Sequence, residues 1–259
     1  MAEPLFLDTP QGRRIACHRR EGKAPGVIFL GGFKSDMEGT KALFLEGWAR
    51  RTGRAFLRFD YSGHGRSSGR FEDGAIGDWL EDALAVIDRL TEGPQILVGS
   101  SMGGWIALLV ARSRPERVAG LVGIAAAPDF TEDGMWALFD PVQRSVLMEM
   151  GRIELPSAYS DEPYVITRRL IEDGRRHLVL RSPLRLDVPT RLLQGTADED
   201  VPVDTALRLF DHAEGDDIRL TLVKGADHRF SAPPLLDLVA RTLEEVIAAA
   251  EARQAGRQD

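Results

Sequence analysis

The chain has 259 residues and a formal net charge of −7, with acidic and basic residues mixed along its length. This length suits one α/β domain, and the charge argues against nucleic acid as a partner. The single cysteine excludes an intramolecular disulfide, and no apolar run indicates a signal peptide or a membrane span, so we expect a cytoplasmic protein.

The first thirty residues predict three strands. Residues 5–7 and 13–17 show the alternation that is typical of an antiparallel hairpin at a sheet edge. Cys17, in the second of these strands, has no histidine or second cysteine nearby in sequence and is expected to be structural. The continuous apolar run at 26–30 predicts a strand buried on both faces. The loop at 31–35 starts with two glycines, which let the backbone turn close to a ligand.

The next segment continues the alternation of helices and strands. Apolar spacing predicts a helix over 40–51, a strand over 54–59 and a helix over 76–90. The glycine-rich loop at 60–67 lacks the Gly-Lys-Ser/Thr of a phosphate-binding loop. Its histidine, His64, precedes the serine motif described next, which is the wrong order for a catalytic base. We therefore expect a structural role for His64.

A Gly-x-Ser-x-Gly motif lies between an apolar strand at 95–99 and an apolar helix at 105–111. A strand, a sharp turn and a helix with this motif at the turn form a nucleophile elbow, because glycines on both sides of the serine let strand and helix approach closely. Ser101 has glycines two residues before and after it, whereas Ser100 does not and is the weaker candidate. An elbow predicts an acid and then a histidine downstream.

The strand–helix rhythm stops after the apolar strand at 118–126. We interpret the segment at about 129–183 as a small helical cap inserted over the site. Its aromatic and methionine side chains, including Trp136 and Tyr159, could line an acyl pocket or attach the cap to the core, and the sequence leaves both open.

The rhythm then resumes with two more strands, each followed by a candidate site residue. Asp198 follows the strand at 190–194, and His228 follows the strand at 218–223. A helix lies between these strands and another ends the chain. The alternation as a whole predicts an α/β fold with a mostly parallel central sheet flanked by helices.

Ser101, Asp198 and His228 each follow the end of a predicted strand. The carboxyl ends of parallel strands lie on one edge of a sheet, so these three side chains can converge. His228 would take the proton from the attacking Ser101, and Asp198 would hold the imidazole in the right tautomer. The backbone N–H groups of Phe33 and Met102 would bind the developing oxyanion.

Other assignments compete with this set. His212 lies downstream but near the end of a helix, Asp200 is two residues from Asp198, and Asp129 follows an earlier strand. The same serine, acid and histidine could serve a C–C bond hydrolase or a cofactor-free haloperoxidase-like activity. A non-catalytic binding protein is a further alternative. No cluster with metal-ligand spacing occurs, so we expect neither a metal nor a cofactor.

These motifs resemble those of the α/β-hydrolase superfamily across nearly the whole chain. Within it the chain is similar to mitochondrial abhydrolases that act as acyl-protein thioesterases and acyl-glucuronide esterases. The segments that carry this narrower resemblance are 39–42, 59–63, 93–101, 103–105, 156–160, 191–193 and 227–229.

The resemblance implies a single α/β-hydrolase domain over residues 1–259, with the family's triad on Ser101, Asp198 and His228. It also implies a serine hydrolase that cleaves carboxylic esters or acyl thioesters through an acyl-enzyme, without a cofactor. Small molecules or acylated proteins would be the substrates. The N-terminal residues do not show the pattern of a mitochondrial transit peptide, so we expect a bacterial or cytosolic relative.

Overall fold

The computed structural model of the protein describes residues 3–155 and 163–256. The strands in these residues are β1 (Leu5–Asp8), β2 (Arg14–Arg20), β3 (Lys23–Leu30), β4 (Arg54–Phe59), β5 (Gln95–Ser100), β6 (Val118–Ile124), β7 (Arg152–Leu155), β8 (Tyr164–Thr167), β9 (Leu184–Arg185), β10 (Thr190–Gly195), β11 (Ala213–Glu214) and β12 (Ile218–Val223). The helices are α1 (Thr40–Thr52), α2 (Ile76–Leu90), α3 (Met102–Ser113), α4 (Pro141–Met150), α5 (Arg168–Arg176), α6 (Val203–His212) and α7 (Pro233–Ala255).

Eight strands form the central sheet, in the order β1-β2-β4-β3-β5-β6-β10-β12. The strands from β4 to β12 in this order run parallel, whereas β1 and β2 are antiparallel and form the edge, as the sequence predicts. The six parallel strands are β4, β3, β5, β6, β10 and β12, and their carboxyl ends therefore lie at the same edge of the sheet. The predicted α/β-hydrolase fold is confirmed.

Both faces of the sheet are buried. In β3, Val27 and Phe29 join one apolar cluster while Ile28 and Leu30 join the other, which is the alternation of a strand covered on both sides. Side chains of α1 and α7 pack in the first cluster, and side chains of α2 and α3 pack in the second. This two-sided burial explains why the sequence of β3 is a continuous apolar run.

Cys17 lies on β2 and is fully buried. Burial raises the pKa of its thiol to about 12, so the thiolate that would act as a nucleophile does not form near neutral pH. The burial and the raised pKa of Cys17 both favour a structural role, as expected.

The segment between β6 and β9 is not purely helical, which corrects the predicted helical cap. It contains a π-helical turn at Thr131–Trp136, α4 and α5, but also the antiparallel pair β7–β8. The apolar residues Ile153 and Ile166 face each other across this pair, and their short alternating runs are easily taken for helix. Leu147 and Leu170 are buried in the same apolar cluster as α2 and α3, so this insertion is packed onto the body of the domain.

Within the described ranges, no helix combines the length and the apolarity that crossing a membrane requires.

Candidate active site

Ser101 occupies a strained turn between β5 and α3. Its backbone has φ 54° and ψ −119°, a left-handed conformation that is uncommon for a residue with a Cβ atom. The turn is held by three backbone hydrogen bonds: the Ser101 N–H donates to Ile124, and its carbonyl accepts from Gly104 and Ala127. Strained residues of this kind cluster at functional sites, where the surrounding structure fixes them.

The glycines on either side of Ser101 are there because the elbow leaves no room for side chains. A Cβ on Gly103 would fall on the carbonyl oxygen of Leu30, and a Cβ on Gly99 would fall on the carbonyl of Gly103. Both obstacles are backbone atoms, which cannot rotate away as a flexible side chain does. The Gly-x-Ser-x-Gly spacing therefore follows from the packing of α3 against β3 and β5.

The structure brings Ser101, His228 and Asp198 into one hydrogen-bonded chain. The Nε2 atom of His228 lies 3.1 Å from the Oγ of Ser101, and its Nδ1 lies 2.9 Å from the Oδ2 of Asp198. Ser101 and His228 are 127 positions apart, so only the parallel strand ends of β5, β10 and β12 can place them together. The arrangement can move a proton from the serine hydroxyl to an imidazole that a carboxylate holds in place.

The Asp198 carboxylate is fully buried and hydrogen-bonded at both oxygens. Oδ1 accepts the backbone N–H groups of Asp200 and Val201, and Oδ2 accepts from Gln194 as well as from His228. Burial by itself raises the pKa of Asp198, but the hydrogen bonds from His228 and Val201 outweigh it, so the pKa lies below its ordinary value. Asp198 is thus ionised at neutral pH.

The competing residues are placed elsewhere. Asp129 is fully buried in the segment that follows β6, where its carboxylate accepts hydrogen bonds from the backbone N–H groups of Val179 and Leu180. His212 contacts the carbonyl of Ser182. Ser100 is the last residue of β5, and the His228 imidazole is bonded to its neighbour Ser101.

The two backbone N–H groups predicted for the oxyanion hole belong to Met102, next to Ser101 in the chain, and to Phe33, in the loop after β3. Met102 is the first residue of α3, where the N–H groups of a helix are unsatisfied and attract negative charge. Phe33 follows Gly32, at which an added Cβ would lie 3.5 Å from the Cβ of Ser101. Among the hydrogen bonds of the described residues, neither the Phe33 nor the Met102 N–H has a partner.

His64 holds the loop that carries Phe33, which is a structural role, as expected, with a partner that the sequence did not reveal. Its Nε2 accepts the N–H of Lys34, which has φ 57°, at 3.2 Å, and its Nδ1 lies 3.2 Å from the carbonyl of Ser62. Burial lowers the pKa of His64 to about 4, so the ring is neutral and Nε2 remains an acceptor. The only signal in the sequence was a histidine in a glycine-rich loop after a central strand, and that signal does not reveal its partner.

A cavity of about 660 Å³ has Ser101 and His228 in its wall. Its apolar lining includes Phe33, Phe130, Met135, Leu138 and Tyr164, and its polar lining includes Ser35, Thr40, Lys41, Asp200 and Arg229. The ring of Phe33 lies 5.6 Å from that of Phe130 and 6.0 Å from that of Tyr164, so these rings form a continuous apolar surface. An apolar group of a ligand can lie against it.

The insertion residues divide between the two roles that the sequence left open. Leu138 and Tyr164 line the cavity, whereas Leu147 is buried in the core. Trp136 is absent from the cavity wall and instead has the guanidinium groups of two arginines over its ring, at 4.6 and 5.3 Å. Tyr159 lies outside the described residues.

Asp198, Asp200 and His228 together offer three ligand atoms within 4.8 Å of one another. A divalent cation could be held there, but it would compete for the Asp198 carboxylate that binds the His228 imidazole. The sequence did not indicate this group, because its members come from two loops that are distant along the chain.

Comparisons with known proteins agree with this architecture. A sequence model of the alpha/beta hydrolase family matches residues 27–249. The palmitoyl-protein thioesterase ABHD10, mitochondrial, of Homo sapiens is 40% identical over 244 residues, which cover 93% of this chain and 79% of that protein. The protein of the same name from Bos taurus is also 40% identical, over 246 residues.

Solved structures give the same result. A hydrolase from Agrobacterium vitis S4 superposes with a TM-score of 0.90 at 44% identity, covering 95% of this chain and 98% of that chain. The alpha/beta hydrolase domain-containing protein 10 from mouse superposes with a TM-score of 0.89 at 39% identity, covering 95% and 99%. With its fold, its elbow and a family match over most of its length, this chain belongs to the α/β-hydrolase family.

Proposed function

We propose that this hydrolase cleaves carboxylic esters or acyl thioesters through an acyl-enzyme on Ser101. The observation that carries the proposal is the hydrogen-bonded chain from the Ser101 hydroxyl through both nitrogens of His228 to the Asp198 carboxylate. A protein that only binds a ligand has no need of an acid and a base in line with a serine.

The reaction follows from the positions of these groups. Ser101 Oγ attacks the carbonyl carbon of the substrate while His228 Nε2 takes its proton. The N–H groups of Phe33 and Met102 stabilise the tetrahedral oxyanion, and the imidazolium of His228 then protonates the leaving alcohol or thiol. Water then attacks the carbonyl carbon of the acyl-enzyme and gives a proton to the same imidazole. As the bond from this carbon to Ser101 Oγ breaks, His228 returns that proton to Oγ and the acid is released. The ionised Asp198 stabilises the imidazolium in both halves of the reaction.

The acyl group of the substrate is proposed to lie against the apolar wall formed by Phe33, Phe130 and Tyr164. Relatives named as palmitoyl-protein thioesterases support acyl thioesters, on small molecules or on acylated proteins, as substrates. Those relatives are named as mitochondrial, so the cytoplasmic location expected from the sequence remains a prediction.

Labelling with a fluorophosphonate probe and mapping of the modified peptide test the nucleophile. We expect one modified serine, Ser101, and a fall in kcat of about 10⁴–10⁶-fold in Ser101→Ala with the fold intact. Ser100→Ala is the matched control and should keep most of the activity. Modification of Ser100, or full activity in Ser101→Ala, would refute the assignment.

A substrate panel tests the reaction class and the acyl site. We expect hydrolysis of p-nitrophenyl esters and of acyl-CoA thioesters. Tyr164→Ala should lower kcat/KM for long-chain esters while short acetyl esters remain nearly unaffected, because each lost methylene contact is worth about 1–3 kcal/mol. Equal losses of kcat/KM on acetyl and long-chain esters would place Tyr164 outside the acyl site. Turnover restricted to C–C bond substrates would refute the proposal that the enzyme hydrolyses esters or thioesters.

A further inference from the structure

Lys41 connects α1 to the loop that carries His228. It is the second residue of α1, and its side chain lines the same cavity as Ser101 and His228. Its Nζ donates a hydrogen bond to the backbone carbonyl of Arg229, the residue that directly follows His228. The bond therefore joins two elements that are 188 positions apart, next to the imidazole.

The environment of Lys41 is unusual for a lysine. Burial lowers the pKa of its ammonium to about 8, with Asp227 acting to raise this pKa and Arg229 to lower it further. Across the part of the chain that the structure describes, no carboxylate lies within ion-pair distance of Nζ. The hydrogen bond that the structure shows for the Lys41 ammonium is thus made to a main-chain carbonyl and not to a carboxylate.

The His228 loop, residues 225–231, is held on both sides of the histidine. After it, Phe230 is fully buried and the Ser231 hydroxyl donates to the same Arg229 carbonyl that Lys41 contacts. The Gly225 N–H donates to the hydroxyl of Thr196, and the carbonyl of Ala226 accepts from Ala197, so the β10 side fixes the residues before His228. The Lys41 contact acts on the residue after His228 and comes from α1. Restraints thus reach the imidazole from two sides.

We propose that Lys41 is a positioning residue for His228, which it keeps within hydrogen-bond distance of Ser101 by fixing the Arg229 carbonyl. The inference rests on the proposed function, because it assigns His228 as the base. The Ser101–His228 distance of 3.1 Å leaves little tolerance, since a displacement of about 1 Å in a catalytic group can cost about 100-fold in rate. Lys41 acts on the geometry of the imidazole and needs no contact with the substrate.

Lys41→Met tests the proposal because it keeps an unbranched apolar side chain, one heavy atom shorter, and removes the donor. We expect kcat on p-nitrophenyl acetate and p-nitrophenyl butyrate to fall by the same factor, about 10–100-fold, with KM changed less than about threefold. The rate of fluorophosphonate labelling of Ser101 should fall in parallel, because that reaction also needs the base. Lys41→Arg, which keeps the cationic donor, should recover most of both rates.

Lys224→Met is the charge-matched control, since it removes an exposed cation one residue before the loop and should leave both rates unchanged. If Lys41→Met does not fold, Lys41→Leu, which also lacks a side-chain donor, is interpreted in the same way. Unchanged kcat and labelling would overturn the proposal, as would a raised KM with kcat intact, which would assign Lys41 to substrate binding. A wild-type protein that the probe does not label at Ser101 would refute the proposed function itself, and the role of Lys41 with it.

Discussion

His64→Phe should make the stability of this protein less sensitive to acid. The His64 ring is 4% exposed and packs against Tyr61, Phe71 and Trp79, with ring centroids 5.1 to 5.7 Å away. Its Nε2 accepts the N–H of Lys34 and must stay unprotonated to do so. Protonation would place a charge among aromatic rings and break that hydrogen bond.

The magnitude follows from the difference in pKa between the two states. Burial lowers the pKa of His64 from 6.5 to about 4, and the unfolded chain keeps the ordinary value. Between these two values the unfolded chain binds more protons than the folded protein, so the free energy of unfolding falls as pH falls through this window. The full difference corresponds to about 3 kcal/mol, and below the lower pKa both states are protonated and His64 contributes no further change.

Urea unfolding of the wild type and of His64→Phe, each at about pH 7.5 and about pH 4.5, measures the effect. Phenylalanine keeps the ring packing and cannot be protonated. We expect the wild type to lose about 2–3 kcal/mol more than the variant between these pH values. Other titrating groups, such as Asp173 with its pKa lowered to about 2, are common to both proteins and cancel in the comparison. The same loss in both proteins would refute the account of a buried neutral His64.

Three further predictions concern the acid, the elbow and metals. Asp198→Asn should lower kcat by about 10³–10⁴-fold, because an amide favours the wrong imidazole tautomer. Asp129→Asn should instead lower the free energy of unfolding by about 1–3 kcal/mol and leave kcat unchanged. The reverse pattern in kinetics and urea unfolding would assign the catalytic acid to Asp129. Gly103→Ala should lower the free energy of unfolding by about 3 kcal/mol or more, because the added Cβ would fall on the Leu30 carbonyl. Gly47→Ala in the middle of α1 is the control. Its added Cβ meets only ordinary contacts, so a thermal melt should show unchanged or higher stability. EDTA should leave turnover unchanged. Added zinc should inhibit the enzyme, because the cation would bind the Asp198 carboxylate that holds the His228 imidazole. Inactivation by EDTA that zinc reverses would contradict the serine mechanism.

The local parts of the site could be predicted from the sequence. The apolar run of β5, the glycines around Ser101 and the apolar helix after it define an elbow, because each feature depends on neighbours within about ten residues. The same holds for β3, whose two-sided burial is visible as an unbroken apolar run. The order of Ser101, Asp198 and His228 along the chain also needed no structure, since each follows a strand.

The insertion shows where local patterns stop being informative. The short alternating runs of β7 and β8 are compatible with helix or strand until their pairing partner is known. Trp136 was a candidate for the acyl pocket by residue type, yet two arginines cover its ring, while Tyr164 reaches the cavity. Residue type alone cannot distinguish these positions, because both are aromatic and half-buried.

The sequence by itself determined the fold class, the elbow and the set of residues from which a base and an acid could come. Only the tertiary structure decided among them: it bonds Asp198 to His228, and it uses Asp129 to hold the chain at Val179 and Leu180. It also revealed that Lys41 reaches the residue after His228. The physical reason is that strand order and register bring together side chains more than a hundred positions apart, and no local pattern of apolar and polar residues encodes those distances.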